Sequence, residues 1–416
     1  MRVVLSACAI VVSLLCLLAS IRFLLPTAGT NELPGAAEKQ LEFVRSALES
    51  GPDHDAQQQF PEGYLFANAL YGMAWVQVGL TDTARADAAL KEARWALSRI
   101  ESSDGTAPFS AGLVPEYGVF YAGWTNWLRG GIIGLQQVPD VGEAARYEQA
   151  SAELAAAFES AATPFLQAYP GQAWPVDSTV AIASLALHDQ LVQPRFDDTI
   201  ARWLGAVRER LDPATGLLPH RVDPLDGQPI EGARATSQSV IHRFLVEIDP
   251  AFAREQYAGF RARFLAYPLG FGPAVREYPH GTDGVGDVDS GPLVLGISLS
   301  ATAVTLGAAR VNGDGDLAAA LASEAELLGV PLSGLDTKRY ALGLLPIGDA
   351  FLVWSATARP WGVAPQPEQD FDIRWWWRLP WLTTLVVVTL LAWLPVLALR
   401  RKQPRAGDLR PNHQLL

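Results

Sequence analysis

Cysteine is almost absent. Cys8 and Cys16 are the two in 416 residues, and both fall in the first hydrophobic run. The rest of the chain therefore holds no disulfide framework, no cysteine-based metal site and no thiol nucleophile. Positive charge is short as well: 32 Lys and Arg stand against 44 Asp and Glu, a net charge of -12. Phosphate neutralisation needs clustered cations, so nucleic acid is excluded as a partner. The histidines His54, His188, His220, His242, His280 and His413 form no His-x-x-x-His pair, which argues against a zinc protease. Neither a Gly-x-Ser-x-Gly elbow nor a phosphate-binding Gly–Lys loop occurs. Asn312-Gly313-Asp314-Gly315-Asp316 resembles a calcium loop without its bidentate Glu, and reads as a turn capping a helix. Asp283, Asp287 and Asp289 are close enough in sequence to share a cation, but no metal and no cofactor is expected.

What the chain has in plenty is apolar surface. Apolar residues make up 49 % and charged residues 18 %, with mean hydropathy +0.13, which excludes a disordered chain. Much of that surplus sits at the two ends. Residues 3–21 are almost wholly apolar between Arg2 and Arg22, and read as an anchor or as a signal segment with Pro26-Thr27-Ala28-Gly29 as cleavage region. Leu5-Ser6-Ala7-Cys8 is discounted as a lipoprotein box, because no hydrophobic stretch precedes it. Residues 381–399 form the second run. Trp375, Trp376, Trp377 and Arg378 precede it, and Arg400, Arg401, Lys402 and Arg405 follow it. An aromatic belt on one side and a basic cluster on the other mark a transmembrane helix with a cytoplasmic tail. The expected organisation is an N-terminal membrane segment (1–29), an extracytoplasmic domain (30–372), a transmembrane helix (373–402) and a basic tail (403–416) in a bacterial cell membrane. The membrane is thus a partner; no protein partner can be named.

The central domain carries a repeat of period rather than identity. Amphipathic, charged stretches at 36–50, 82–101, 143–162, 197–211, 251–266 and 314–328 alternate with nearly uncharged ones at 64–78, 117–128, 178–187, 237–245, 291–309 and 350–357. A helix apolar all round is buried all round, and one with a single apolar stripe has a wet face. The pattern predicts an all-α fold: an (α/α)6 toroid of six helical hairpins, the uncharged helices inside. Chain order alone does not separate a closed toroid from an open solenoid, although neither end repeat looks like a polar cap.

Each uncharged helix starts after a polar cluster, centred on Glu62, Glu116, Asp177, Ser237, Asp289 and Asp349. Parallel inner helices would gather these positions at one end, where helix dipoles favour carboxylates. Each acid taken singly reads as an N-cap; six together read as a funnel. Aromatics crowd the same positions, as in Phe60-Pro61-Glu62-Gly63-Tyr64 and Trp174-Pro175-Val176-Asp177. Aromatic faces stack on sugar rings while acids bind hydroxyls, so a carbohydrate fits; a hydrophobic, isoprenoid-like ligand fits the aromatics equally. The loop 212–234, with an Asp226-Gly227 step between short extended runs, predicts a β-hairpin. His220 lies in it, and either reaches over the funnel or sits on the hairpin surface.

The run Asp212-Pro213-Ala214-Thr215-Gly216-Leu217 resembles the hairpin of the six-hairpin glycosidases, notably the unsaturated glucuronyl and rhamnogalacturonyl hydrolases. In those families a Trp-x-Asp step opens an inner helix and supplies the acid/base. Trp174-Pro175-Val176-Asp177 resembles that step with one extra residue. The resemblance covers the toroid in layout and these two stretches in motif. The linalool dehydratase-isomerase group is similar in fold but uses cysteines that this domain lacks.

Glycoside hydrolysis normally needs one protonated and one ionised carboxyl. Asp177 is the expected acid/base, since Trp174 and Val176 give it an apolar setting, with Asp289, Asp287 or Glu116 as its partner. If the likeness to the uronyl hydrolases holds, one carboxyl suffices to protonate a vinyl ether. The residues expected to touch an oligosaccharide or other small ligand are Glu62, Tyr64, Tyr117, Tyr121, Trp124, Trp174, His220, Gln238, Glu277, Tyr278, His280, Asp349 and Trp354. Two other functions remain open: a non-catalytic toroid binding envelope glycan or protein, and a lyase or isomerase acting on a lipid-like substrate.

Overall fold

A computed structural model describes residues 1–401 of the chain; Lys402 and the expected cytoplasmic tail (403–416), with Arg405 and His413, lie outside them. The chain divides into two compact units, one of Met1–Leu25 with the residues from Arg374 onward, the other of Pro26–Ile373. In the first unit, helix α1 (Arg2–Leu24) packs along the last helix of the chain (Arg378–Arg401). Phe23 meets Trp377 edge-on at 5.3 Å, and Trp393 Nε1 donates to Ser13 Oγ at 3.0 Å. Both helices are long and apolar enough to cross a membrane, and most of their apolar surface is left uncovered.

In the second unit the helices follow the sequence pattern. In chain order they are α2 (Ala37–Ser50), the short α3 (Pro52–Gln59), α4 (Gly63–Thr81), α5 (Ala86–Ile100), the short α6 (Ser103–Thr106) and α7 (Gly118–Gly134). There follow α8 (Val141–Ser160), α9 (Pro175–Leu191), α10 (Asp197–Arg208), α11 (Ala235–Ile248), α12 (Pro250–Phe264), α13 (Leu299–Val311), α14 (Gly315–Leu328) and α15 (Pro346–Ala356). The terminal apolar helix is then α16. The uncharged helices α4, α7, α9, α11, α13 and α15 each touch the next, and α15 returns to α4. That last contact closes the ring and rules out an open solenoid. The fold is an α/α toroid.

The outer helices show how the hairpins are paired. Each lies against the inner helix that precedes it: α5 on α4, α8 on α7, α10 on α9, α12 on α11 and α14 on α13. The first outer helix, α2, has no predecessor in the chain and packs on α15 instead. The chain thus closes the ring twice, once with an inner and once with an outer helix. Gln40 of α2 marks the seam, donating from Nε2 to the Asp349 carboxyl and carbonyl, both at 3.1 Å. Inner-to-outer links are short, down to the single Asp249 between α11 and α12, whereas outer-to-inner links are long. Long loops therefore gather at the N-terminal ends of the inner helices.

The other end is sealed. Thr357 donates to Gln77 at 2.6 Å, Arg359 donates to the Leu80 carbonyl at 2.7 Å, and Trp361 stacks on Trp127 at 4.6 Å. The Glu247 carboxylate accepts from the backbone N–H groups of Trp361 (2.8 Å) and Gly362 (3.0 Å). The ring axis is also filled: Trp124 meets Phe66 at 5.1 Å, Phe244 at 5.5 Å and Trp354 at 6.1 Å. The toroid is a packed core with one open end. Glycines let its inner helices approach; a Cβ on Gly123 would lie 3.0 Å from Ala181 Cα, on backbone that cannot yield.

Three two-stranded ladders decorate the loops: β1 (Arg221–Val222) with β2 (Pro229–Glu231), β3 (Leu265–Ala266) with β4 (Ala274–Val275), and β5 (Leu332–Ser333) with β6 (Lys338–Arg339). The first is the hairpin expected around Asp226-Gly227. One boundary differs from expectation. The fifth inner helix starts at Leu299, not near Gly291, because Gly291, Leu295 and Gly296 take positive φ and Ser298 caps the helix by accepting from Ala301 N–H.

Candidate functional site

Asp177 lies in the first turn of α9, behind Pro175 at the first helical position, whose fixed φ suits a helix start. The residue is 5 % exposed, and its carboxyl has no hydrogen-bond partner among the described residues. Burial, then the charges of Glu62 and Asp289, hold its pKa well above the usual carboxylate range. A buried acid without donors is best kept neutral, which makes Asp177 a carboxylic acid rather than a carboxylate.

Glu62 stands at the N-cap of α4, and its carboxylate receives the hydroxyl of Tyr169, from the loop between α8 and α9. Burial first, then Glu62, raise the Tyr169 pKa, so the phenol stays a donor. Its ring stacks on Phe109 at 5.8 Å and meets Trp174 edge-on at 6.2 Å. Asp289 comes from the long loop before α13. Burial first, then Asp287 and Glu62, push its carboxyl up to about 6, with Arg234 pulling the other way. The residue remains exposed to water; protein around the mouth still removes part of its wider hydration. Glu62 and Asp177, from the first and third inner-helix starts, and Asp289, from the loop before the fifth, therefore act on one another electrostatically.

Beside them is a second group that holds the Asp289 loop. Asp287 Oδ1 accepts from the N–H groups of Asp289 (3.1 Å) and Ser290 (3.0 Å), and its Oδ2 lies 2.6 Å from Arg234 Nη2. Arg234 Nε donates to Glu277 Oε1 at 2.8 Å, and Thr236 donates to the same oxygen at 2.9 Å. Asp287 is held below its usual value: hydrogen bonds and Arg234 outweigh burial, the largest single influence, which acts upward. Glu277 is fully buried, and burial raises its pKa against the pull of Arg234. His220 is buried rather than on the hairpin surface, with Nδ1 2.7 Å from Ser237 Oγ. Burial, then Arg234, push it down to about 3, so it is neutral near pH 7. The Arg234 guanidinium lies 5.2 Å from the Tyr278 ring centre.

Other residues singled out in the sequence lie elsewhere. Trp124 and Trp354 belong to the axial core, each 1 % exposed. Tyr64 is buried against His54 at 4.9 Å, and Tyr121 is buried with its hydroxyl on the Ile100 carbonyl. Gln238 is fully buried and donates to the Leu218 carbonyl at 2.7 Å. Asp349, buried at the seam, accepts from Tyr340 N–H at 3.0 Å; burial raises it to about 6. Glu116 is exposed on the rim beside the half-buried Tyr117, which meets Tyr121 edge-on at 5.3 Å. His280 is exposed, with Nε2 3.0 Å from the Leu265 carbonyl. Sequence reasoning missed Tyr169 and Arg234. Arg234 leaves a trace in the sequence: the fourth inner helix is preceded by a cation where others have acids. Among the described residues no group of three or more His, Cys, Asp or Glu is placed to hold a metal ion.

No family model matches the chain, and no curated protein matches it. Among solved structures it is similar to a GH76 alpha-mannanase of Bacteroides thetaiotaomicron. The likeness has 12 % identity and a TM-score of 0.41, over 70 % of this chain and 86 % of that one. A likeness at that score carries no inference about chemistry, and the ring's closure rests on its own helix contacts.

Proposed function

We propose that the chain is a membrane-anchored glycoside hydrolase whose toroid lies outside the cytoplasm, with Asp177 as general acid and Asp289 as the ionised partner. The observation that carries this reading is Asp177 itself: buried, without a hydrogen-bond donor, and raised in pKa beside two further carboxyls. Hydrolysis of a glycosidic bond asks for that division of labour, one carboxyl keeping its proton and one losing it. Asp177 would protonate the leaving oxygen, and Asp289 would support attack at the anomeric carbon. Trp174 and Tyr169 offer ring faces and a hydroxyl to a sugar. The aromatic cluster on the axis is core and contributes no binding surface. Two helices of membrane-spanning length support the anchoring.

The test is turnover of aryl glycosides and oligosaccharides by the full-length protein in detergent, wild type against Asp177→Asn. The expected outcome is turnover by wild type and a loss of kcat of about 10²- to 10⁴-fold in the variant. Binding without turnover by either protein would overturn the reading in favour of a glycan-binding toroid.

A further inference from the structure

The open end of the toroid carries an apolar face that the acid cluster does not use. Three stretches make it: the β3–β4 hairpin (265–275), the run into α13 (291–302) and the run into α15 (328–345). Ser298 N–H donates to the Val275 carbonyl at 3.0 Å, which ties the first two together. α13 and α15 are neighbours in the ring, which sets the third beside them. Leu269 is 83 % exposed, Leu335 90 % and Leu344 81 %, with Leu295, Leu299 and Leu342 exposed as well. Single exposed leucines are ordinary, but a group on adjoining loops marks a contact surface. The backbone holds them out at a cost. Of the six non-glycine residues with positive φ among the described residues, five lie here: Leu269, Leu295, Val330, Ala341 and Leu342. Charge is scarce on the same stretches. They hold one acid, Asp336, and two cations, Lys338 and Arg339, in a chain of net charge -12.

The occupant follows from where the chain leaves the toroid. Arg261 of α12 donates to the Asp372 carbonyl at 3.2 Å, and Ile373 packs on the small cluster of α13 and α14 on which Leu265, the first residue of β3, also packs. The residues 373–377 then join Asp372 to α16, a reach of about 20 Å at most. The chain thus leaves beside the base of the Leu269 hairpin, on a leash shorter than the toroid is wide. We infer that this apolar face is a lipid-contact surface: it lies in the interfacial layer of the bilayer that the terminal helices enter, so that the mouth with Asp289 opens at the membrane surface. The inference rests on the membrane-anchored reading and adds the face that meets the lipid. Apolar side chains gain by entering the headgroup–acyl boundary. A patch with a slight excess of cations is also the part of an acidic protein that an anionic leaflet repels least.

The test is fluorescence of the full-length protein in phosphatidylcholine vesicles, in a Cys8→Ser, Cys16→Ser background. A polarity-sensitive dye is placed on Leu269→Cys, on Leu335→Cys and, as control, on Val138→Cys, which is 85 % exposed in the link between α7 and α8 at the closed end. The expected result is quenching by lipids brominated on the acyl chain, at least about twofold stronger at 269 and 335 than at 138. Leu269→Asp with Leu335→Asp should remove the quenching of a dye on Leu344→Cys. Equal quenching at all three positions, or quenching at 138 alone, overturns the inference. So do disulfide cross-links between copies through Leu335→Cys without quenching, which would give the face to a second copy of the chain. A dye on Cys16, in the Cys8→Ser chain, separates this inference from the anchoring it rests on. Quenching at Cys16 with none at 269 and 335 would keep the anchor and sink the lipid face; the opposite pattern would keep the lipid face and sink the anchor.

Discussion

At the scale of single residues, the Asp289 carboxyl is the group most open to measurement. It must lose its proton to act, and its pKa is raised to about 6, so kcat/KM should fall as pH drops below that value. Its neighbours tune it in opposite senses. Arg234 holds the pKa down and Asp287 pushes it up. Arg234→Gln should therefore move the acid limb to higher pH, and Asp287→Asn should move it lower; equal shifts of one sign would remove the electrostatic account. Stability carries the same sign information. An Asp whose folded pKa exceeds its unfolded value binds more protons in the native state, so its contribution is full below about pH 4 and is lost as pH rises through about 6. Asp289→Asn should abolish that loss, leaving thermal midpoints of variant and wild type close at pH 4 and the variant higher at pH 7. A midpoint difference independent of pH would contradict the linkage.

At the scale of elements, one buried carboxylate helps to hold the closed end. Glu247 ties α11 to the segment after α15 through two backbone N–H groups, and Arg243 Nη1 lies 3.6 Å away. Burial lowers Arg243 to about 10 and raises Glu247, so desolvation offsets part of their attraction. Glu247→Ala leaves the guanidinium buried without its counter-charge, with only the Arg359 carbonyl to receive it, and should cost about 3 to 5 kcal/mol in denaturant unfolding. Gly123→Val should cost about 1 to 3 kcal/mol by forcing α7 off α9. Helix type was legible in the sequence because charge leaves a wet face and spares a buried one: α4 and α9 are almost wholly covered. Hairpin pairing was not legible, since alternation reads the same whichever neighbour an outer helix chooses. Nor was the fate of Trp124 and Trp354, because an aromatic near an acidic cluster looks alike on a funnel wall or in a core; only the axial packing decides. The start of α13 was misread because the stretch 291–298 is poor in charge, while its positive-φ residues make it a loop.

At the scale of the whole molecule, the site exists only because the ring closes. Glu62, Asp177 and Asp289 are far apart in the chain, and nothing local in the sequence joins them; the contact of α15 with α4 does. That is why the candidate acids were visible one by one while their grouping, and the role of Arg234 in holding the Asp289 loop, were not. The membrane-anchored reading proposed above raises one more molecular question, the side of the membrane on which this ring works. On the proposed membrane-anchored reading, one compartment holds all of the stretch 26–373, because both runs of membrane-spanning length lie outside it. The expected compartment is the extracytoplasmic one, from the basic residues that follow α16 in the sequence. The toroid contains no cysteine, which makes the test clean. Thr282 is exposed in the loop that carries Asp289. In a Cys8→Ser, Cys16→Ser background, Thr282→Cys should react with a membrane-impermeant maleimide in intact spheroplasts as fully as after lysis. Reaction only after lysis would put the mouth in the cytoplasm, and with it the substrate: an envelope glycan would then be out of reach, and the hydrolase reading would need a soluble intracellular glycoside.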